Sequence, residues 1–579
     1  MGGKRFPRLF LAGVAGLVVA CGGGAGGHGA PDPINGAPDD GALPDAGTPS
    51  TRPDGGTTPD GGTGPGEPDA GEPDGGPPPQ SSRCMPTAGE PQWVLEGEPV
   101  SATVTCATGH AEPGTRFTVD NLPPGARFDE ISGTLSWTPG KDQAAVWQLT
   151  LREQGTGETG TLKVGVAENE SAPGNVPIVD PVAYTEEYGL PVFHLSFEGK
   201  LTGGSHRPVQ LVYRGRRFNL EAKYRGATSS VFPKRSLTLK FPDEDLFSEP
   251  VFGNGFKDRK RVVLITTFND NAYLRSRLAF DVWSRMSPGH LHLRTYSAVL
   301  YVNNEYVGLY TVADHVNKRL MAAHGVDKDA DLFKAVDNRA NFSRLRKDGT
   351  PKDALREGYE KKEGSPEEGE PGAFTPMEAL TAFIADSDAE AFRAGFPQRM
   401  NVQDYQDWWI FNTLILGVDS SAKNAYHAYD PATGGPWRFI PWDLDASFGQ
   451  SYDTTRTSPT SRPDFRADNL LFQRMLADAT FAGPMRERYR ALLRDTLNVE
   501  VMMALIDGYV RETAPSARRD WAKWGAKHQG FGDPNDPWGG YGNFPHWHTR
   551  QDFNSYEEEV EYVRQWIRTR WGALESALP

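Results

Sequence analysis

Cysteine is nearly absent from this chain, with three residues in 579, so a disulfide-dense scaffold is excluded. No lysine-rich block occurs, and the formal net charge is −15, from 61 basic against 76 acidic side chains. That balance argues against a nucleic-acid binder, whose affinity rests on neutralising phosphates. It does not prevent local binding of a nucleotide. Large apolar residues are scarce from Gly22 to Ser82, with only Ile34 and Leu43, while glycine and proline are concentrated there. Such a stretch cannot bury enough surface to offset chain entropy. What remains is still too long for one ordinary core, and length alone suggests about two to four domains.

Residues 1–21 read MGGKRFPRLFLAGVAGLVVAC, a basic start followed by an apolar run too short for a comfortable membrane span. The ending Val18-Val19-Ala20-Cys21 resembles a bacterial lipobox, which implies cleavage before Cys21 and acylation of its thiol. An ordinary secretory signal with an incidental cysteine is the alternative. Gly22 follows where retention signals carry Asp, so resemblance to Gram-negative lipoproteins points to the outer membrane. The expectation is an exported protein reaching the membrane only through a lipid anchor. Residues 22–82 repeat Pro-Asp-Gly-Gly and Glu-Pro-Asp and read as a disordered tether, with a reach on the order of 40 Å by flexible-linker scaling.

Residues 83–168 alternate short strand-like runs (Phe117-Thr118-Val119, Trp147 to Leu151) with Pro and Gly turns, the pattern of a small β-sandwich. Leu122 to Asp129 and Gly133 to Pro139 resemble Ig or cadherin-like modules of bacterial surface proteins. In an exported chain Cys84 and Cys106 most simply pair, a bridge that contributes roughly 3 kcal/mol; two free thiols are the alternative. Nothing in this module carries chemistry, so its expected work is spacing or weak adhesion.

The chemistry concentrates in Ile415 to Gly449. Asp419 stands five residues before Asn424, and after a strand-like run (Trp437, Phe439, Ile440) come Asp443 and Asp445. A hydroxyl nucleophile needs a carboxylate to take its proton, and a divalent cation on ATP phosphates needs hard oxygen ligands on a separate element. Asp419 is therefore the candidate base, Asn424 and Asp443 the candidate metal ligands, and Asp445 a lower-ranked ligand or a support for Asp443. The competing reading is an Asp-capped loop and a turn after a strand.

The D-x-x-x-x-N spacing and the later Trp442-Asp443-Leu444-Asp445-Ala446-Ser447-Phe448-Gly449 resemble the spore-coat protein H (CotH) family of atypical secreted kinases. The likeness continues in order through Arg225 to Ser229, Pro233 to Phe241, Leu274 to Ala279, Tyr301 to Tyr310 and Asp331 to Ala335, covering roughly Pro177 to the C-terminus. It implies a multidomain chain: an all-β Ig-like sandwich (83–168), then an α+β protein-kinase-like domain (177–579) with a helical C-terminal part. It also implies ATP as donor, Mg²⁺ or Mn²⁺ as cofactor, and Ser/Thr hydroxyls of surface or secreted proteins as acceptors.

Strand signals at Val192–Phe197, Val209–Tyr213 and Phe218–Tyr224 open that domain. Arg225 and Lys234 flank a small-residue loop through which backbone N–H groups could approach phosphate. Lys240 points away from the apolar face of Ser236 to Phe241, toward a nucleotide or solvent. Leu274, Leu278, Val282 and Met286 form a helical core stripe, with Arg275 and Arg277 off it as weak phosphate candidates. Asn303-Asn304 reads as a hairpin turn. Asp314 stands where the family usually has Glu, and its shorter side chain weakens the expectation of a Lys–carboxylate pair across the nucleotide site. Lys334 is the leading candidate for an ATP-phosphate lysine, against a structural salt bridge. Residues 343–372 read as an exposed insertion, its Tyr359 to Lys362 being a solvated charge run or a substrate-side motif. Asp404–Leu416, Asn469–Leu493, Val499–Arg511 and Glu557–Leu578 read as helices, and His528, His546 and His548 as packing residues rather than a metal set. Two other classes stay open: a surface adhesin with a vestigial site, and a metal-dependent hydrolase using Asp443 and Asp445.

Overall fold

The computed structural model describes residues 84–107, 111, 113–169, 179–226, 228–531, 547 and 555–577. The leader with Cys21, the 22–82 tether, Ala227, His546 and His548 lie outside them. Nine strands come first: β1 (Pro86–Thr87), β2 (Gln92–Leu95), β3 (Val100–Thr103), β4 (Thr105–Cys106), β5 (Phe117–Asp120), β6 (Arg127–Asp129), β7 (Thr134–Trp137), β8 (Ala145–Glu153) and β9 (Thr159–Ala167). Sheets β2-β9-β8-β5 and β3-β7-β6 share one core. Alternation sends Leu149, Leu151, Leu162, Val164 and Val166 inward to meet Val100, Ala102, Leu135 and Trp137. Cys84 and Cys106 are disulfide-bonded. This module is docked on the rest of the chain rather than strung beside it: Trp93 packs on Tyr188 with ring centroids 6.0 Å apart, and Lys163 pairs with Glu186.

Eight strands and one helix follow: β10 (Glu186–Glu187), β11 (Leu190–Ser196), β12 (Arg207–Tyr213), β13 (Arg216–Arg225), β14 (Ser236–Lys240), β15 (Arg261–Thr266), α1 (Arg275–Met286), β16 (Thr295–Val302) and β17 (Glu305–Asp314). From β11 through β12, β13, β14, β15, β17 and β16 each strand pairs with the next, and β16 returns to pair parallel with β11. The sheet thus closes into a barrel without free edges. Phe193 and Leu195 fill its interior with Leu211, Leu239, Leu264 and Val312, while Val192 and Val263 face outward against α1 residues such as Leu278 and Trp283. The β16–β17 turn has Asn303 and Asn304 at φ 51° and 66°, left-handed values that a two-residue turn requires.

The remaining elements are α2 (Lys318–Ala323), β18 (Asp331–Ala335), β19 (Tyr359–Glu363), α3 (Thr375–Asp386), α4 (Ala389–Arg399), α5 (Val402–Ile415), β20 (Ala425–Tyr429), β21 (Arg438–Pro441), α6 (Leu470–Ala477), α7 (Ala479–Ala491), α8 (Val499–Gly530) and α9 (Tyr556–Ala577). The second sheet runs β19-β18-β20-β21. Three expectations change here. The exposed insertion contributes β19, whose Lys361 is buried against Asp331 at 2.6 Å. The 469–493 helix breaks in two at Asp478, whose side chain accepts from Thr480 N and caps α7. Helix α8 runs 19 residues past Arg511, to Gly530. Beyond that point it buries Ala514, Ser516, Ala517 and Asp520, small or charged residues that leave no apolar stripe to read. No helix among the described residues is long and apolar enough to cross a membrane.

On β20, His427 is fully buried, with Tyr405 Oη 3.0 Å from its Nδ1. Burial holds its pKa down to about 3 from an ordinary 6.5. The folded state keeps this ring neutral and the unfolded state takes up the proton, so its contribution is present above pH 6.5 and lost as pH falls toward 3. Each pH unit lost in that window costs about 1.4 kcal/mol. Denaturant titrations from pH 7 to 4 are expected to show this slope, and His427→Gln to flatten it by about that amount.

Candidate active site

Helix α5 is nearly all buried, including Tyr405, Trp408, Ile410, Phe411 and Asn412. It ends at Leu416, a left-handed cap with φ 54°, and the chain turns into the loop carrying Asp419. Trp408 Nε1 and Asn412 Nδ2 both donate to Ser420 O, at 3.0 and 2.6 Å, and Asn469 Nδ2 donates to Ser421 O at 2.8 Å. At its far end the loop is fixed by Asn424 N donating to Ala335 O (3.1 Å) and Trp442 N donating to Asn424 O (2.9 Å). The β20–β21 ladder places Ala425 opposite Pro441, which sets Asn424 beside Trp442 and next to Asp443. Asn424 and Asp443 have φ of 57° and 59°, strained conformations of the kind that persist where a site over-determines them.

The carboxylates act on one another. Burial raises the pKa of Asp419 and the Asp443 charge adds to it, while Lys423 Nζ at 2.8 Å from Oδ1 and Asn424 Nδ2 at 3.1 Å from Oδ2 oppose. Asp445 is raised first by burial, then by Asp443, with Asp419 contributing and the Asn269 Nδ2 hydrogen bond opposing. Facing them is a basic side. Burial lowers the Lys334 ammonium and Arg225 lowers it further, with Asp443 opposing. The Arg225 guanidinium lies over the Trp442 ring at 5.2 Å. His315 is pushed down to about 3 by burial and by Arg261, Arg225 and Lys334.

A divalent cation fits this donor set. The Asn424 amide oxygen and the Asp443 and Asp445 carboxylates are hard oxygen donors of the kind such an ion takes. Among the described residues no group of three or more His, Cys, Asp and Glu side chains is spaced to hold a metal ion.

Residues 222–574 match the family described as CotH kinase protein. The chain belongs to the CotH family. Its relative inner spore coat protein H of Bacillus subtilis (strain 168) is 25% identical over 291 residues, spanning 50% of this chain and 74% of that protein. A solved structure from Bacteroides fragilis NCTC 9343 assigned to the alpha-galactosidase/melibiase class overlaps 21% of each chain at 12% identity. Its TM-score is 0.12, and no argument rests on it.

In this CotH chain the fold gathers Asp419, Asn424, Asp443, Asp445, Arg225 and Lys334. It does not gather Lys234 and Lys240. Lys234 is buried and donates to Thr267 Oγ1 (2.8 Å), Leu309 O (2.6 Å) and Asp520 Oδ1 (2.6 Å). Its three protons are all used, so it joins α8 to the barrel and has none for a phosphate. Lys240 pairs with Glu221 at 2.7 Å and lines an open cleft of about 950 Å³ with Phe197, Asn303 and Lys260, away from the carboxylates. Arg275 is fully buried between Asp270 and Glu559, and Arg277 pairs with Glu512 at 2.8 Å; neither serves phosphate. Asp314 pairs with Arg259 at 2.7 Å rather than with a lysine. His528 Nδ1 lies 2.7 Å from Phe268 O.

Sequence reasoning missed Asn269 and Lys423. Asn269 meets Asp445 across 176 residues, which no local pattern signals. Lys423 lies four residues from Asp419 in a loop rather than a helix, so no helical spacing rule signalled the pair. A close approach ends the site: a Cβ on Gly449 would lie 2.8 Å from Tyr562 Oη and 2.9 Å from Trp566 Cδ1, at φ 98°. Gly449→Ala is expected to cost about 1–3 kcal/mol by overpacking, read as a lower unfolding midpoint.

Proposed function

We propose that this CotH-family protein is an exported atypical kinase that transfers the γ-phosphoryl group of ATP to Ser or Thr hydroxyls of surface or secreted proteins. The observation that carries the reading is the meeting of the Asp419–Asn424 loop with Asp443 and Asp445, opposite Arg225 and Lys334. Phosphoryl transfer is mostly positioning and electrostatics, and the backbone anchors of the 417–424 loop supply the positioning. Asp419 orients the acceptor hydroxyl and takes its proton. Arg225 and Lys334 neutralise phosphate oxygens. Asn424 and Asp443, with Asp445, would hold Mg²⁺ or Mn²⁺, which when bound neutralises the donor's phosphate charge. Asn269 keeps Asp445 aimed. Acylation at Cys21 would tether the enzyme to the outer membrane of a Gram-negative cell, with 22–82 as the leash.

The test uses the purified full chain with γ-labelled ATP, Mg²⁺ or Mn²⁺, and casein as acceptor. Labelled protein that disappears with chelator is expected. Free phosphate without labelled protein would replace the reading with hydrolysis, and absence of metal-dependent ATP binding would replace it with a recognition surface.

A further inference from the structure

We propose that the open cleft on the barrel docks an extended basic segment of a partner protein, with lysine or arginine at two positions four residues apart and an apolar side chain midway between them. Such docking needs no phosphoryl transfer. The cleft has a volume of about 950 Å³, within the range of built binding sites, and the mouth of a barrel is one of the places where such sites form. It opens where the end of β11, the start of β12, the middle of β13 and the end of β14 come together. Phe197, Val209, Leu220 and Phe241 in its lining belong to the barrel core or pack against it.

The charged lining is Glu198, Glu221, Asp243 and Glu244 against Lys240 and Lys260. Both lysines are already engaged, Lys240 with Glu221 at 2.7 Å and Lys260 with Asp243 at 2.5 Å. Glu198 and Glu244 are exposed and enter no ion pair among the described residues. Charge complementarity therefore asks a partner for two cations, one on each side of the apolar strip where Val209 on β12 faces Leu220 on β13. Glu198 follows β11 and Glu244 follows β14. Three steps of about 4.8 Å separate those strands, on the order of 14 Å along the sheet. In an extended chain the side chains at i and i+4 stand about 13 Å apart on one face, with i+2 between them on the same face. A helix brings the same pair to about 6 Å, so the spacing selects an extended segment.

The walls of the cleft are set before a partner arrives. Phe197 N donates to Asn303 Oδ1 at 2.9 Å and Asn303 Nδ2 donates to Phe197 O at 3.1 Å. Phe241 N donates to Lys260 O at 2.8 Å, and Asp245 N to Pro242 O at 3.2 Å. A wall held in this way spares the complex much of the cost of ordering it. The chain's own 22–82 segment is rich in Asp, the wrong sign for these two carboxylates, so the occupant comes from another protein.

The test reads fluorescence anisotropy of labelled, glycine-flanked peptides on the purified full chain at low salt. Lys-Gln-Leu-Gln-Lys carries the required spacing, Gln-Lys-Leu-Lys-Gln has the same composition with its lysines two residues apart, and Lys-Gln-Gln-Gln-Lys lacks the apolar centre. The first is expected to bind, and the other two about tenfold more weakly. Glu198→Gln and Glu244→Gln are each expected to weaken the first peptide about threefold, and together about tenfold, with unfolding midpoints unchanged because both side chains are exposed. Added salt should weaken it further. Equal binding of the two lysine spacings, unchanged affinity in the double variant, or no binding of any peptide overturns the proposal. If either variant fails to fold, the three-peptide comparison on the wild-type chain decides alone. Self-association of the chain by sedimentation that disappears in the double variant, with no peptide bound, would make a second copy the occupant and overturn the proposal as well.

Discussion

Asp419→Asn is expected to lower phosphoryl transfer about 10²–10⁴-fold, the span that a positioned general base supplies, while metal-dependent ATP binding stays within about threefold of wild type. Asparagine keeps the size of the side chain but cannot accept the hydroxyl proton. The 417–424 loop should hold its shape, because its anchors run from Trp408, Asn412 and Asn469 to the carbonyls of Ser420 and Ser421 and none involves the Asp419 carboxylate. Labelled-phosphate transfer to casein, beside calorimetric ATP binding, separates the two effects. Retention of more than a tenth of the wild-type rate would remove Asp419 from the role of base and leave the metal-ligand assignments standing. Loss of ATP binding together with transfer would instead mean that Asp419 belongs to the cation site.

The largest stability effect is expected at a buried ion pair. Arg275 on α1 is fully buried, donating to Asp270 Oδ1 and Glu559 Oε1 at 2.6 Å each and to Phe448 O at 3.4 Å. It therefore links the barrel's helix, the last helix α9 and the loop that carries Asp443 and Asp445. Asp270 adjoins Asn269, which holds Asp445 from the other side. Glu559→Ala leaves a buried guanidinium half paired, and breaking a buried ion pair from one side costs about 3–5 kcal/mol. Guanidinium-induced unfolding of the Glu559→Ala chain should show that loss, together with weaker Mg²⁺·ATP binding through the loosened Phe448 segment. The double change Arg275→Met, Glu559→Leu should recover much of the stability, since neither charge then remains buried. A Glu559→Ala chain as stable as wild type would show that solvent reaches Arg275 and that α9 is not part of the site's frame.

The four acidic and amide residues of the site were legible because the chain itself brings them close. Asp419, Asn424, Asp443 and Asp445 fall within one loop, one hairpin and one turn, so local spacing already carried their geometry. Asn303-Asn304 was legible for the same reason, since a two-residue turn is a local matter of φ. The fate of the basic residues was not. Sequence could say that Lys234, Lys240, Lys334, Arg275 and Arg277 were available cations, but which of them meets phosphate depends on which finds a carboxylate first. Lys234 finds Asp520 across 286 residues and Arg275 finds Glu559 across 284, and both are consumed in holding helices to the barrel.

The sequence by itself thus determined many of the strands and helices and the close spacing of the acidic loop, through local spacing and the alternation of apolar side chains. Closure of the barrel through the β11–β16 pairing, the length of α8, and the sorting of cations into structural and site-facing ones were decided only by tertiary structure. The physical reason is that a buried charge must be paired, and its partner comes from whatever element the fold packs against it, however distant in the chain.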